Sequence, residues 1–177
     1  SVTKIDAATS AHAVPTISAL TAIDLTDTTN TDTFNNQTGT ITANDSDGTV
    51  QSYGISGGTT GGATVVGGVT YDVSSAGAYG SLYLKSADGA YVYVPNNTAI
   101  NALSDNQSEN FTLTATDNDG MIGGATLTIN ITGATGVTTI AFNDGAGTTG
   151  IAAAANRDVV TGFSAVNDII QLDTAQT

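Results

Sequence analysis

Two stretches of this chain share one grammar, and that grammar limits what the chain can fold into. Residues 41–48 read ITANDSDG and residues 113–120 read LTATDNDG. In both, an alternating run of apolar and polar residues enters an Asp-x-Asp-Gly corner. Alternation with period two marks a half-buried strand, and Asp, Asn and Gly are the residues that turn a chain sharply. Residues 80–84 (GSLYL) and 90–94 (AYVYV) flank an Asp88-Gly89 turn and read as a hairpin. Tyr83, Tyr91 and Tyr93 are expected along or across one of its faces. Residues 37–43 and 49–55, either side of the first corner, read as another hairpin. Further strands are expected in 16–25, 69–73 and 125–131, and a weak one at 64–66 inside the glycine-rich 57–68. Only 97–103 (NTAINAL) reads as a helical turn, with Asn97 or Thr98 as its cap and Ala99, Ile100 and Leu103 spaced to plug one end of a sandwich. Many short strands and no long amphipathic helix predict an all-β, antiparallel sandwich.

Charge narrows the partners. Sixteen acidic residues stand against three basic ones, a net charge of −13. All the acids but Glu109 are aspartates, which favour turns and chelating loops over helices. So few cations cannot neutralise phosphates, which argues against nucleic acid and anionic membrane surfaces as partners. Divalent cations suit the chain; the plainer reading is that the acid serves solubility. With no cysteine, neither disulfides nor thiolate sites are available. No apolar run approaches the ~20 residues a spanning helix needs, so direct membrane insertion is not expected. Ser1 begins no recognisable signal peptide, and an address that is cleaved, or lies outside this chain, is expected if the protein is exported. The sequence also reads as an excerpt of a longer polypeptide.

Calcium is bound by six to eight oxygens from carboxylates, amides, backbone carbonyls and water. An Asp-x-Asp-Gly bend sets two carboxylates on alternate residues, where they can converge on one ion. Asp45 with Asp47, and Asp117 with Asp119, therefore form two candidate half-sites. Neither continues as an EF-hand, because Ser56 and Thr128 stand where the closing glutamate belongs. Asp144 is a further candidate ligand, and Asn143, Asp158, Asn167, Asp168 and Asp173 offer more oxygens. The alternative is a pair of metal-free, Asx-stabilised turns. Two enzyme-like strings are weaker. Gly145–Gly150 (GAGTTG) fits G-x-G-x-x-G, yet too few residues follow to build a dinucleotide site, and Asp144 would repel a pyrophosphate. Gly54–Gly58 (GISGG) fits G-x-S-x-G without a helix to follow. One histidine, His12, read as a solvated side chain, leaves almost no material for a triad or a zinc site. No catalytic residue is assigned.

The order of the pieces is also informative. TGTITANDSDG, then YGSLYLKSADGAYVYVPNNTAINAL, then ENFTLTATDNDGMIGGATLTINITG together resemble the VCBS repeat, a cadherin-like module of large bacterial surface and secreted proteins. The resemblance spans about residues 15–133. It implies an Ig- or cadherin-like β-sandwich, frequently calcium-binding, in adhesins, biofilm matrix or surface layers. Residues 134–177 (TTIAFNDGAG, then DVVTGFSAVNDIIQLDT) resemble segments that flank RTX repeats in type I secreted proteins, without the nonapeptide array. The expected organisation is thus an N-terminal arm at 1–14, the sandwich at 15–133 and a short β-rich C-terminal segment that serves assembly. The expected function is structural: a calcium-stabilised, extracellular or cell-surface bacterial module that self-associates through its terminal segments. The rival is a carbohydrate-binding module for cell-surface glycan, with Tyr53, Tyr71 and Tyr79 as exposed stacking platforms.

Overall fold

The structure, a computed structural model, describes residues 12–134. Strand alternation shapes it. In chain order the elements are β1 (Thr16–Ile17), β2 (Ile23–Thr26), β3 (Gln37–Thr40), β4 (Ala43–Asn44), β5 (Val50–Ile55), β6 (Thr59–Val66), β7 (Val69–Ala76), β8 (Gly80–Leu84), β9 (Ala90–Pro95), α1 (Asn97–Ile100), β10 (Gln107–Asp117) and β11 (Ile122–Thr132). A four-stranded sheet runs β2-β11-β10-β5 and a five-stranded sheet β3-β9-β8-β7-β6, with β1 and β4 as a small separate pair. The fold is all-β and sandwich-like. All pairings are antiparallel except β2 with β11, which is parallel from Ile23↔Ile129 to Thr26↔Thr132.

Period two decides what is buried. Phe111, Leu113 and Ala115 point inward from β10, and Leu127, Ile129 and Ile131 from β11. Val73, Leu82, Leu84, Tyr91 and Tyr93 face them from the other sheet within the same cluster. The Tyr93 and Phe111 rings meet at 6.1 Å between centroids and 60° between planes. With no Trp to fill the interior, two tyrosines fold over glycines on adjacent strands. A side chain at Gly39 would run into the Tyr91 ring, and one at Gly80 into the Tyr93 ring. Tyr93 is fully buried, and its hydroxyl donates to Glu109 Oε1 at 2.5 Å; the Tyr79 N–H donates to Glu109 Oε2 at 3.1 Å. Burial first, and the Glu109 carboxylate second, hold the Tyr93 hydroxyl well above the usual phenol range.

Several expectations need correction. The GSLYL/AYVYV hairpin forms, as β8 and β9, but its pairing sets Tyr91 opposite Leu84 and Tyr93 opposite Leu82, while Tyr83 lies opposite Val92. Tyr91 and Tyr93 therefore share the core face and Tyr83 takes the other, because neighbours in sequence alternate sides. The expected hairpin across the first corner does not exist. The β3 edge is taken by β9 and the β5 edge by β10, so the chain between them crosses from one sheet to the other, anchored by buried Ile41, whose N–H donates to Gly89 O. The expected first strand is broken into β1 and β2. The glycine-rich stretch forms a full eight-residue strand, β6, irregular in register between Thr60 and Thr64. The helical turn forms with Asn96 as its cap, the Asn96 side chain accepting the Ala99 N–H at 3.2 Å. Ile100 is fully buried beneath it, and Leu103 packs on the core.

Candidate metal centre

The inward row of β10 does not stop at its last apolar residue. Phe111, Leu113 and Ala115 are followed two residues later by Asp117, which is 3% exposed. A register shift between Thr116 and Asp117 marks the point where the strand yields to its corner. Asp117 Oδ1 accepts the N–H groups of Asp119 and Met121, both at 2.8 Å. Gly120 completes the turn with a φ of 83°, a left-handed conformation that glycine adopts freely. Asp117 Oδ2 is buried without a partner.

The sandwich brings the two Asp-x-Asp-Gly corners together although 69 residues separate Thr49 from Asn118. The Asn118 N–H donates to Thr49 O at 3.0 Å, and the Thr49 N–H donates to Asn118 Oδ1 at 2.6 Å. Gly48 lets them close. A side chain there would collide with Asn118 Oδ1 and Asp45 Oδ2. Asp45 stands in this junction with both carboxylate oxygens shut off from water and unpartnered, although the residue as a whole is only half-buried. Its carboxyl is pushed above the ordinary carboxylate value, first by desolvation and then by the nearby Asp47 and Asp117 carboxyls. The Asp47 N–H opposes the shift.

His12 and Ala13 close the outside of the junction. The Ala13 N–H donates to both Asp47 carboxylate oxygens, at 3.1 and 3.0 Å, and His12 Nδ1 lies 2.8 Å from Asp119 Oδ2. His12 was expected to be merely solvated; it is largely exposed, yet it faces a carboxylate. β1 pairs with β4 immediately before Asp45, as Thr16↔Asn44, and Pro15 passes so close over β11 that Gly123 has no room for a side chain. Residues 12–14 of the expected arm therefore dock on their own sandwich.

Of the five aspartates singled out as ligands, the fold gathers Asp45, Asp47, Asp117 and Asp119 around one junction, and Asp144 lies outside the described residues, as do Asn143, Asp158, Asn167, Asp168 and Asp173. Among the described residues no three His, Cys, Asp or Glu side chains form a ready metal cage. A hard cation here would rest on the unpartnered oxygens of Asp45 and Asp117, with amide or backbone oxygens and water completing its shell. The donors are all oxygen, which suits calcium better than zinc.

The remaining expectations divide. Ser56 of the G-x-S-x-G string sits in the turn from β5 to β6, where the Gly58 N–H donates to Ile55 O and a strand follows, so a strand-to-helix elbow is not formed. The G-x-G-x-x-G string at 145–150 lies outside the described residues. Of the three tyrosines of the carbohydrate reading, Tyr71 is 6% exposed, while Tyr53 and Tyr79 are partly buried and pack against the core. No family model matches the chain, and no curated protein matches it.

Proposed function

We propose that this chain is a structural module of a bacterial extracellular assembly, such as a surface layer, an adhesin stalk or a matrix filament, and that calcium stiffens it where the chain enters the sandwich. The observation that carries the reading is the junction of the two corners. Asp45 and Asp117 each keep buried carboxylate oxygens without a hydrogen-bond partner in this junction, near enough for the Asp117 charge to act on Asp45, at the place where residues 12–15 dock. A cation between them would offset their repulsion and join the entry segment, the crossover and the β10–β11 turn into one rigid joint. Self-association is proposed through the terminal segments and through β6, an exposed edge strand without charged residues, because unpaired strand edges accept further strands.

Thermal melting with calcium and with EGTA tests the reading. Binding at about a hundred times Kd adds about 2.7 kcal/mol, or roughly 5–10 °C for a chain of this size. A midpoint that does not move with the ion, in wild type and in Asp117→Asn alike, sinks the calcium-stiffened joint. Sedimentation and imaging of the purified protein test the assembly, for which a strictly monomeric solution at every concentration is the contrary result.

A further inference from the structure

A second carboxylate is stranded at the far end of the same sheet. The inward row of β2 runs Ile23, Leu25 and then Asp27, one step beyond the strand, as β10 runs into Asp117. Asp27 is 4% exposed, and neither of its carboxylate oxygens has a hydrogen-bond partner. Its backbone N–H donates to Thr132 O at 2.9 Å, which fixes it beside the end of β11. The eleven residues of β11 separate this end from the corners, roughly 33 Å at the rise of a strand.

Asp27 lines a cleft of about 420 Å³ formed by residues 27–30 and 132–134. The cleft is built in advance. The Thr28 N–H donates to Asp32 Oδ2 at 2.5 Å, and the loop is tied to α1 from both directions: the Asp32 N–H donates to Asn101 Oδ1 at 2.6 Å, and Asn101 Nδ2 donates to Asp32 O at 2.9 Å. Asp32 stands just outside the residues that line the cleft, held by Thr28 of that lining, and its side chain comes near that of Asp27 without a hydrogen bond in good geometry. The lining holds no basic side chain. Among the described residues the one Lys or Arg is Lys85, which is paired with Asp88, and His12 lies at the other end. Isolated carboxylates in such a place are costly unless a counter-charge arrives.

We propose that this cleft is a second divalent-cation site, fitted to calcium. Asp27 is its anchoring carboxylate and Asp32 its second, and neutral oxygens of residues 28–30 and 132–134, with water, complete the shell. Two carboxylates and neutral donors are a sparse set, so the affinity belongs in the 10⁻⁴–10⁻³ M range of extracellular calcium modules. The site stands on observations independent of the corner junction.

Backbone amide NMR of the full chain, titrated with calcium chloride to about 10 mM, ten times the weak end of that range, separates the two sites. Calcium is expected to shift the amides of residues 27–32 and 132–134 in wild type and equally in Asp117→Asn. Those shifts disappear in Asp27→Asn, and Asp32→Asn, at a more exposed position, weakens them at least tenfold while leaving the fold intact. The proposal is overturned if calcium moves only the amides around 44–49 and 117–121, or none at all. It is also overturned if Asp32→Asn titrates like wild type. Loss of the corner shifts alone counts against the stiffened joint and leaves this site standing.

Discussion

The two corners are nearly identical in sequence and different in kind. The second, at 117–120, satisfies itself: Asp117 receives two N–H groups of its own turn, and Gly120 supplies the left-handed residue that a tight return to β11 requires. The first, at 45–48, closes no such turn. It is a crossover between sheets, Asp45 is orphaned, Asp47 serves the incoming chain, and its glycine is needed for space and not for its φ. One corner closes a hairpin, while the other is held open against it. The strands on either side, not the motif, decide which is which.

Substitutions should separate these roles. The largest effect is expected from Asp117→Ala, which strips a buried acceptor from two N–H groups and costs about 3 kcal/mol in urea unfolding without calcium. An equally large calcium-free loss at Asp45 would erase the contrast. Tyr93→Phe, far from either corner, is the control. It costs about 2 kcal/mol, the scale of a hydrogen bond to a charged group, and the loss is the same with or without calcium. Because the folded state raises the Tyr93 hydroxyl above its unfolded value, that stabilisation is complete below about pH 10 and is lost as pH climbs beyond it. Tyr93→Phe is expected to lack this alkaline component. Gly120→Ala forces a side chain into left-handed backbone and costs roughly 1–2 kcal/mol irrespective of the ion, whereas Gly48→Ala spreads Asp45 from Asn118 and should show mainly as a blunted calcium response. Asp45→Asn is the smallest and the most telling. In EGTA its melting point equals or slightly exceeds wild type, since repulsion with Asp47 and Asp117 is relieved, and most of the gain from calcium is gone.

Much of this was legible in the sequence. The alternation from 113 into the second corner and over 125–131 names the central strands and their buried faces, though the strands run longer, from Gln107 to Asp117 and from Ile122 to Thr132, and Asp-x-Asp-Gly names the acids that the fold assembles. Pairing between distant segments was not legible. Residues 37–43 and 49–55 look like a hairpin because nothing local records that β9 and β10 compete for their edges. The role of Glu109 was not legible either, since it depends on the Tyr93 hydroxyl arriving from the opposite sheet. Asp27 was hidden in a run of Asp, Thr and Asn, although the signal was present: Ile23, Leu25 and Asp27 keep the inward period, as Leu113, Ala115 and Asp117 do. An aspartate that continues a buried row is a different object from one in a turn.

The parallel pair of β2 and β11 has a mechanical consequence. A pull that enters before β2 and leaves after β11 draws these two strands past one another along their length. The four registered positions from Ile23↔Ile129 to Thr26↔Thr132 then share the load and rupture together, whereas a hairpin such as β6–β7, pulled from its open end, unzips one bond at a time. In a tethered chain this short seam acts as the clamp that sets the breaking force of the module.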